Sequence, residues 1–379
     1  MLHKRIYLDW NATAPILEVA RQSFIKTLYL CGNPSSIHRE GQKVHSCIED
    51  ARHVIADFCD AKFDNVVFTS CATESANWIL TPNFYKGSQE FRIGSLYVSG
   101  IEHSSVYAGG QFSADMIHKI PVLPEGIVDI KALANLLNAR DDSLNIPMVA
   151  VMLVNHETGV IQPIKEVANI VKQHQGILVV DAVQAAGRIP VSINDLGADF
   201  IIISAHKLGA PMGVGALIFQ NDILLPRPLL RGGSQEMGHR AGTENFAAIC
   251  GFSAAVKEIG KNIQERSYHM SMIKNYLEEG LNRLIPNIII YGKDANRVSN
   301  TCYFSIPSLK AELLQLALDI EGIAVSTGSA CLSGKIKKNH VLSAMGYDIS
   351  NGAIRISFGY TTTQEDIDTL LEKLHKIIK

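Results

Sequence analysis

The 379-residue chain has almost no imbalance of charge, 35 Lys and Arg against 37 Asp and Glu. Backbone-driven binding of nucleic acid needs a summed positive field, so nucleic acid is not an expected partner. Long apolar runs are missing too. The longest uncharged one, near residues 246–256, has about eleven residues against the ~18 needed to span a bilayer, and the N-terminal MLHKRIYLDW has no apolar signal core. No membrane or export segment is therefore expected. Paired cysteines are absent: the seven at 31, 47, 59, 71, 250, 302 and 331 show no CxxC spacing and read as free thiols of a reducing compartment, with the cytoplasm as the expected location. Neither HExxH nor paired Cys/His spacing supports metal catalysis, and the GxxxxGK(S/T) phosphate loop and GxSxG elbow are also missing.

What is present is a large potential core, 47% hydrophobic residues against 19% charged, in a chain long enough for two domains. Near-continuous apolar runs (NVVFT, SLYVS, VAVMLVN, ILVVD, FIIIS) have strand length and read as strands covered on both faces. Helical spacing appears between them, as in 38–59 and 164–174, and this βαβα order predicts an α/β fold with a mainly parallel sheet flanked by helices. From about Thr243 the pattern changes to a long helical stretch, then NIIIYG, TCYFSIP, a helix over 310–320, AVSTG, AIRISFG and a terminal helix from Thr363. This predicts a smaller α+β domain starting near 260.

Ligands of open α/β sheets gather beyond the carboxyl ends of the strands, so polar residues directly after apolar runs are the candidates. Asp181 ends ILVV; Ser204, His206 and Lys207 follow FIII; a hydroxyl-rich turn from Ser70 to Ser75 follows NVVFT; His103 follows SLYVSGIE. A lysine there must find an anion, emerge to solvent or lose its proton, and a neutral lysine is a nucleophile suited to a Schiff base. Asp181 needs a cationic partner: a protonated pyridine nitrogen, a buried Arg or Lys, or else a helix end to cap. The Ser70–Ser75 turn reads as a phosphate cradle or a plain N-cap. Taken alone, His103 is more often a structural histidine.

Ten ordered segments go further: YLDWNATAP (7–15), GNPSSIH (32–38), FTSCATESAN (68–77), EHSSV (102–106), NHETGVIQP (from Asn155), DAVQAAGRIP (181–190), SAHKLGAPMGVGAL (204–217), GGSQEMGHRAGTEN (232–245), STGSACLSG (326–334) and AIRISFG (353–359). Through them the chain resembles, along nearly its whole length, the cysteine desulfurases, pyridoxal 5'-phosphate (PLP) enzymes of fold type I. The resemblance implies a homodimer that converts L-cysteine to L-alanine and passes sulfur to an acceptor protein such as an iron–sulfur scaffold. It assigns Lys207 to the Schiff base, Asp181 to the pyridine nitrogen, Gln184 to the phenolic oxygen and His103 to the ring face and proton movement. Ala72, Thr73, Ser204 and His206 would hold the phosphate, and Thr243 would reach the phosphate held by the second subunit. Arg355, with Asn33, Asn155 and His156, would take the substrate, and His156 would also touch the cofactor. Cys331 would be the nucleophile that carries the persulfide. The Gly, Ser and Ala around Cys331 resist regular packing, as a travelling thiol requires. The domains so implied are 16–260, binding PLP, and 1–15 with 261–379, carrying a mobile cysteine loop at about 326–338.

Four positions depart from the family pattern: His156 for Asn, Cys71 for Gly, Ala14 for Thr and Ala210 for Gly. The spacing after Cys331 matches the long-loop subgroup that includes iron–sulfur assembly enzymes, while the chain ends at Lys379 without the extension by which those enzymes dock a scaffold. Two other readings stand beside the main one. The first is a selenocysteine lyase or other class V PLP lyase, and the second a PLP-fold regulatory or scaffold subunit without catalysis.

Overall fold

Apolar runs such as ILVV and FIII leave no residue to face solvent. The computed structural model, which describes residues 5–140, 146–307, 309–328, 339–348 and 350–379, covers them on both sides. Side chains alternate across a strand. Leu178, Val180, Ile201 and Ile203 enter one core with helices Arg39–Phe58, Ile164–Gln173 and Phe246–Lys261. Val179, Phe200 and Ile202 enter another on the opposite face with Trp78 and Ile79 of the Ala72–Ile79 helix. Each buried Val, Leu or Ile contributes about 1.5–3 kcal/mol by leaving water, which holds these strands between the two cores.

The main sheet runs, in spatial order, Leu224–Pro226, Asn83–Lys86, Gln89–Ser99, Ile146–Met152, Ile177–Asp181, Phe200–Ser204, Gly215–Phe219 and Val66–Thr69, with Ile117–Ile120 also pairing Gln89–Ser99. Its centre is parallel, as the sequence predicts; both ends are antiparallel. The NVVFT run is thus no member of the parallel set. It pairs antiparallel with Gly215–Phe219, which itself runs antiparallel to Phe200–Ser204. Two reversals restore the direction, so the carboxyl end of Val66–Thr69 lies at the same edge as those of the parallel strands. Gly215 is paired to Ser204 on one side and Thr69 on the other. A Cβ there would stand 2.9 Å from the Cys71 carbonyl carbon and the Ile203 oxygen, so only glycine lets the Cys71 turn close over the strand.

A further core gathers Leu8, Trp10, Leu277, Leu281, Phe304, Leu314, Ile356, Leu370 and Leu374. Its sheet is Ile289–Ile290, Thr301–Ser305 and Ile354–Ser357, all antiparallel, and the N-terminal Ile6–Tyr7 pairs parallel with Ile323–Ala324. The helical stretch after Thr243 is two helices, Phe246–Lys261 and Ile263–Leu284, separated at Asn262; the first packs on the sheet core and the second on this later one. The last helix, Gln364–Ile378, opens with a capping box between Thr363 and Asp366.

Candidate active site

The carboxyl edge of the sheet encloses a cavity of about 240 Å³ whose walls include Ala72, Thr73, His103, His156, Asp181, Gln184, Ser204, His206 and Lys207, with Cys71 and Ser105 beside them. Residues more than a hundred positions apart meet because each follows a strand that ends at this edge.

One end of the cavity is built for an anion. Cys71 precedes the Ala72–Ile79 helix with an extended backbone and no side-chain cap, so the first-turn N–H groups of Ala72 and Thr73 face outward with the positive end of the helix dipole. Glu74 accepts from the Ser70 N–H (2.7 Å) and pairs with Arg240 (2.9 Å), which braces the turn. Ser204 is buried, and the His206 Nδ1 lies 3.3 Å from the Thr13 hydroxyl. Burial and the nearby Lys207 charge hold the His206 pKa down to about 4, so the ring is neutral.

The other end holds the titratable groups. Lys207 lies in the short turn Ala205–Leu208 directly after Phe200–Ser204, and its ammonium donates to the carbonyls of Asn11 and Ala12 (2.8 Å to Ala12). Burial first, then the positive Arg355 and Arg188, push its pKa down to about 7 against the pull of Asp9 and Asp181. Asp181 is buried and accepts from the Val183 N–H (2.9 Å); desolvation raises its pKa to about 6, opposed by that bond and by Lys207. No Arg or Lys of the described residues makes an ion pair with it. Gln184 donates to the Asn11 carbonyl (3.0 Å), but its buried Oε1 has no partner among the described residues.

His103 caps the Ser104–Tyr107 turn, and its Nδ1 accepts from the Ser105 N–H (3.3 Å), a bond that selects the tautomer with the proton on Nε2. The ring is open to solvent on one side. Partial desolvation and the charges of Lys207, His340 and Arg355 still bring its pKa to about 4. His156 meets His103 edge-on at 5.3 Å and lies roughly parallel to His340 at 6.4 Å; its Nδ1 is buried without a partner, and burial holds its pKa well below the usual range.

The remaining expected residues do not line this cavity. Asn155 is fully buried and spent on its own turn: Oδ1 accepts from the Glu157 and Thr158 N–H groups, and Nδ2 donates to the Ile101 carbonyl. The buried Arg355 donates to Asp9 (2.8 Å) and to the His156 carbonyl (2.9 Å), and among the described residues its Nε has no partner. Asn33 and Thr243 are exposed, the former in a turn where its Oδ1 accepts from the Ser35 N–H. Cys331 lies outside the described residues. The other six cysteines are free, and Cys71 lines the cavity wall as a small side chain.

The sequence reading gave no role to Asn11, Glu102, Arg188 or His340. Asn11 is a hub: its carbonyl accepts from Gln184 and Lys207, and its Oδ1 accepts from Arg188 and Asn300. Glu102 is completely buried, with its Oε1 accepting from the Met152 N–H and its Oε2 unpartnered; burial and Asp181 raise its pKa well above the carboxylate range. Asn11, Glu102 and Arg188 all lie inside the segments that carry the resemblance; the missing signal is burial, which a sequence does not display.

PLP fits these walls. Helix N–H groups suit its phosphate, the unpaired Asp181 suits a ring cation, the low-pKa Lys207 suits an aldehyde, and the Gln184 Oε1 lacks the partner that a bound molecule would supply. The model for "Aminotransferase class-V" matches residues 6–370. The chain is 36% identical to the cysteine desulfurase IscS of Dictyoglomus turgidum, over all of this chain and 95% of that protein, and 33% identical to the cysteine desulfurase NifS of Azotobacter vinelandii, over 98% and 92%. Its fold superposes on the X-ray structure of a NifS-like protein from Rickettsia africae with a TM-score of 0.89 at 33% identity, covering 99% of both chains. The chain belongs to the class-V aminotransferase family.

Proposed function

We propose that this chain is a PLP-dependent cysteine desulfurase, a homodimer of the cytoplasm, which converts L-cysteine to L-alanine and passes the sulfur through Cys331 to an acceptor protein of iron–sulfur assembly or another sulfur pathway. The observation that carries this reading is an amine, Lys207 Nζ, brought to a pKa of about 7 at the end of a buried strand and sharing one cavity with the unpaired carboxylate Asp181. In this reading Lys207 would join the cofactor aldehyde, Asp181 would hold the ring nitrogen's proton, and Gln184 would meet the phenolic oxygen. His103 would lie against the ring, and Ala72, Thr73, Ser204 and His206 would take the phosphate. When bound, PLP supplies the electron sink that stabilises negative charge at the substrate Cα.

The chain's own groups do the rest. Lys207 Nζ, neutral in an appreciable fraction near pH 7, takes the Cα proton, and the Asn11 and Ala12 carbonyls then hold the ammonium. His103, with its proton on Nε2, supplies or receives a proton at the cavity mouth. Arg355 binds the substrate carboxylate by exchanging Asp9 for it, since its fork is otherwise closed. Asn155 acts by fixing the turn that presents His156, and Asn33 approaches substrate from its loop. In the overall reaction the substrate's Cβ–S bond breaks, an S–S bond forms on the Cys331 sulfur, and the hydrogen lost from the two thiols ends on Cβ.

Exposed Ile16, Val19, Ile25 and Leu28 on and beside the Glu18–Leu28 helix, with Tyr29 and Ile37 after it, support a second copy covering this face, where the exposed Thr243 would serve the neighbouring phosphate. The two cores support a division into 16–260 and 1–15 with 261–379.

The test is Cys331→Ala. It should bind PLP and shift its absorbance on adding L-cysteine as the wild type does, yet yield no protein persulfide and at least ~100-fold less alanine. Wild-type alanine yield from this variant would remove Cys331 from the reaction.

A further inference from the structure

Arg188, in the turn after Asp181, is a buried guanidinium (8% exposed) with no carboxylate partner among the described residues. Its Nη1 donates to the Gln184 carbonyl and its Nη2 to Asn11 Oδ1 at 3.1 Å. Both acceptors are neutral, and an isolated buried charge costs several kcal/mol. The contacts lead to the site by two routes. Asn11, gripped through its side chain by Arg188, offers its carbonyl to Lys207 Nζ and to Gln184 Nε2; Gln184, held at its backbone by Arg188, reaches the cavity with its side chain. Arg188, Asn300 and Lys207 also line a second pocket of about 50 Å³, so Arg188 and Lys207 share a wall apart from the main cavity.

We propose that Arg188 is a positioning residue of the reaction: through Asn11 it fixes where the Lys207 amine rests, and its uncompensated charge repels a proton from that amine. This rests on Lys207 being the reacting amine.

The groups that face Lys207 are Arg355, Arg188, Asp9 and Asp181, with the histidines 103, 156 and 206 held neutral around them. Arg355 acts more strongly on Lys207 than Arg188 does, but it is paired with Asp9, which opposes it from 2.8 Å away. Among the described residues Arg188 has no such counter-ion. Desolvation lowers its own pKa to about 9, which still leaves it charged near neutrality.

The test measures the pH dependence of Lys207 acylation by acetic anhydride in the full-length chain before PLP is added, read by peptide mass spectrometry. Wild type, Arg188→Gln and Arg188→Lys are compared, with thermal unfolding to check folding. Arg188→Gln should raise the Lys207 midpoint by about one pH unit, a roughly tenfold loss of labelling rate near pH 6, whereas Arg188→Lys should stay within a few tenths of a unit of wild type. An unchanged midpoint in Arg188→Gln overturns the proposal and leaves Arg188 as packing. Should Arg188→Gln fail to fold, Arg188→Met takes its place under the same criterion: a rise of about one unit supports the proposal, and an unchanged midpoint overturns it. Borohydride trapping of pyridoxal on Lys207 in the same proteins separates the two readings. Absent trapping in wild type concerns Lys207 itself, whereas trapping with unmoved midpoints concerns Arg188 alone.

Discussion

Lys207 is costly to keep. Its pKa falls from 10.5 to about 7 on folding, so between these values the unfolded chain binds the proton that the folded chain releases. Stability therefore rises with pH across this window, and the penalty is complete below about pH 7. Lys207→Met should accordingly stabilise the cofactor-free protein, by up to about 4 kcal/mol near neutrality, with the gain vanishing as pH approaches 10.5; denaturant melts at several pH values check this. Asp181 works in the opposite direction. Its pKa is raised to about 6, so the folded state holds a proton that the unfolded state gives up, and this group alone lowers stability as pH climbs from 3.8 to about 6. Asp181→Asn should flatten that stretch of the stability profile while lowering turnover at least ~100-fold. The convergence of Lys207, Asp181, Ser204, His206 and His103 on one mouth was legible because each is a polar residue behind an apolar run. Arg188, Asn11 and Glu102 were not, since what distinguishes them is burial with neutral or missing partners, a property of tertiary packing that no local pattern encodes.

Among the elements, Ile177–Asp181 and Phe200–Ser204 begin and end where their apolar runs do, because a strand covered on both faces has no polar residue until it emerges. Direction is another matter. A run covered on both faces carries no mark of whether its neighbour is parallel, which is why the antiparallel insertion of Gly215–Phe219 beside Val66–Thr69 could not be read. Nor could the hairpin of Asn83–Lys86 with the start of Gln89–Ser99, whose residues are largely polar and exposed. That insertion places the Ala72–Ile79 helix at the site, and Gly215 is the point of contact. Gly215→Ala would set a methyl group against Cys71, Ala72 and Ile203 backbone atoms at 2.9–3.0 Å. It should push the first helical turn outward, lower stability by about 1–3 kcal/mol and weaken PLP retention about tenfold or more, as followed by cofactor absorbance during dialysis.

For the molecule as a whole, the site stands between two cores. The sheet core supplies Asp181, Ser204 and Lys207, while the later core supplies Arg355 on Ile354–Ser357 and, through the N-terminal segment, Asp9 and the hub Asn11 beside Leu8 and Trp10. Pairing residues 6–7 with 323–324 ties the N-terminal segment to a strand of the later core, a contact that local periodicity cannot reveal. Leu8→Ala should cost about 2–5 kcal/mol, and hydrogen exchange should quicken in Thr301–Ser305 and Ile354–Ser357 before Ile177–Asp181; uniform loss of protection would mean that the cores unfold as one. The central claim concerns a single covalent bond. Borohydride reduction of the PLP-supplied protein, followed by peptide mass spectrometry, should place one pyridoxyl group per chain on the Lys207 side chain and none in Lys207→Ala. A pyridoxyl group on another lysine, or no adduct at all, would contradict the account.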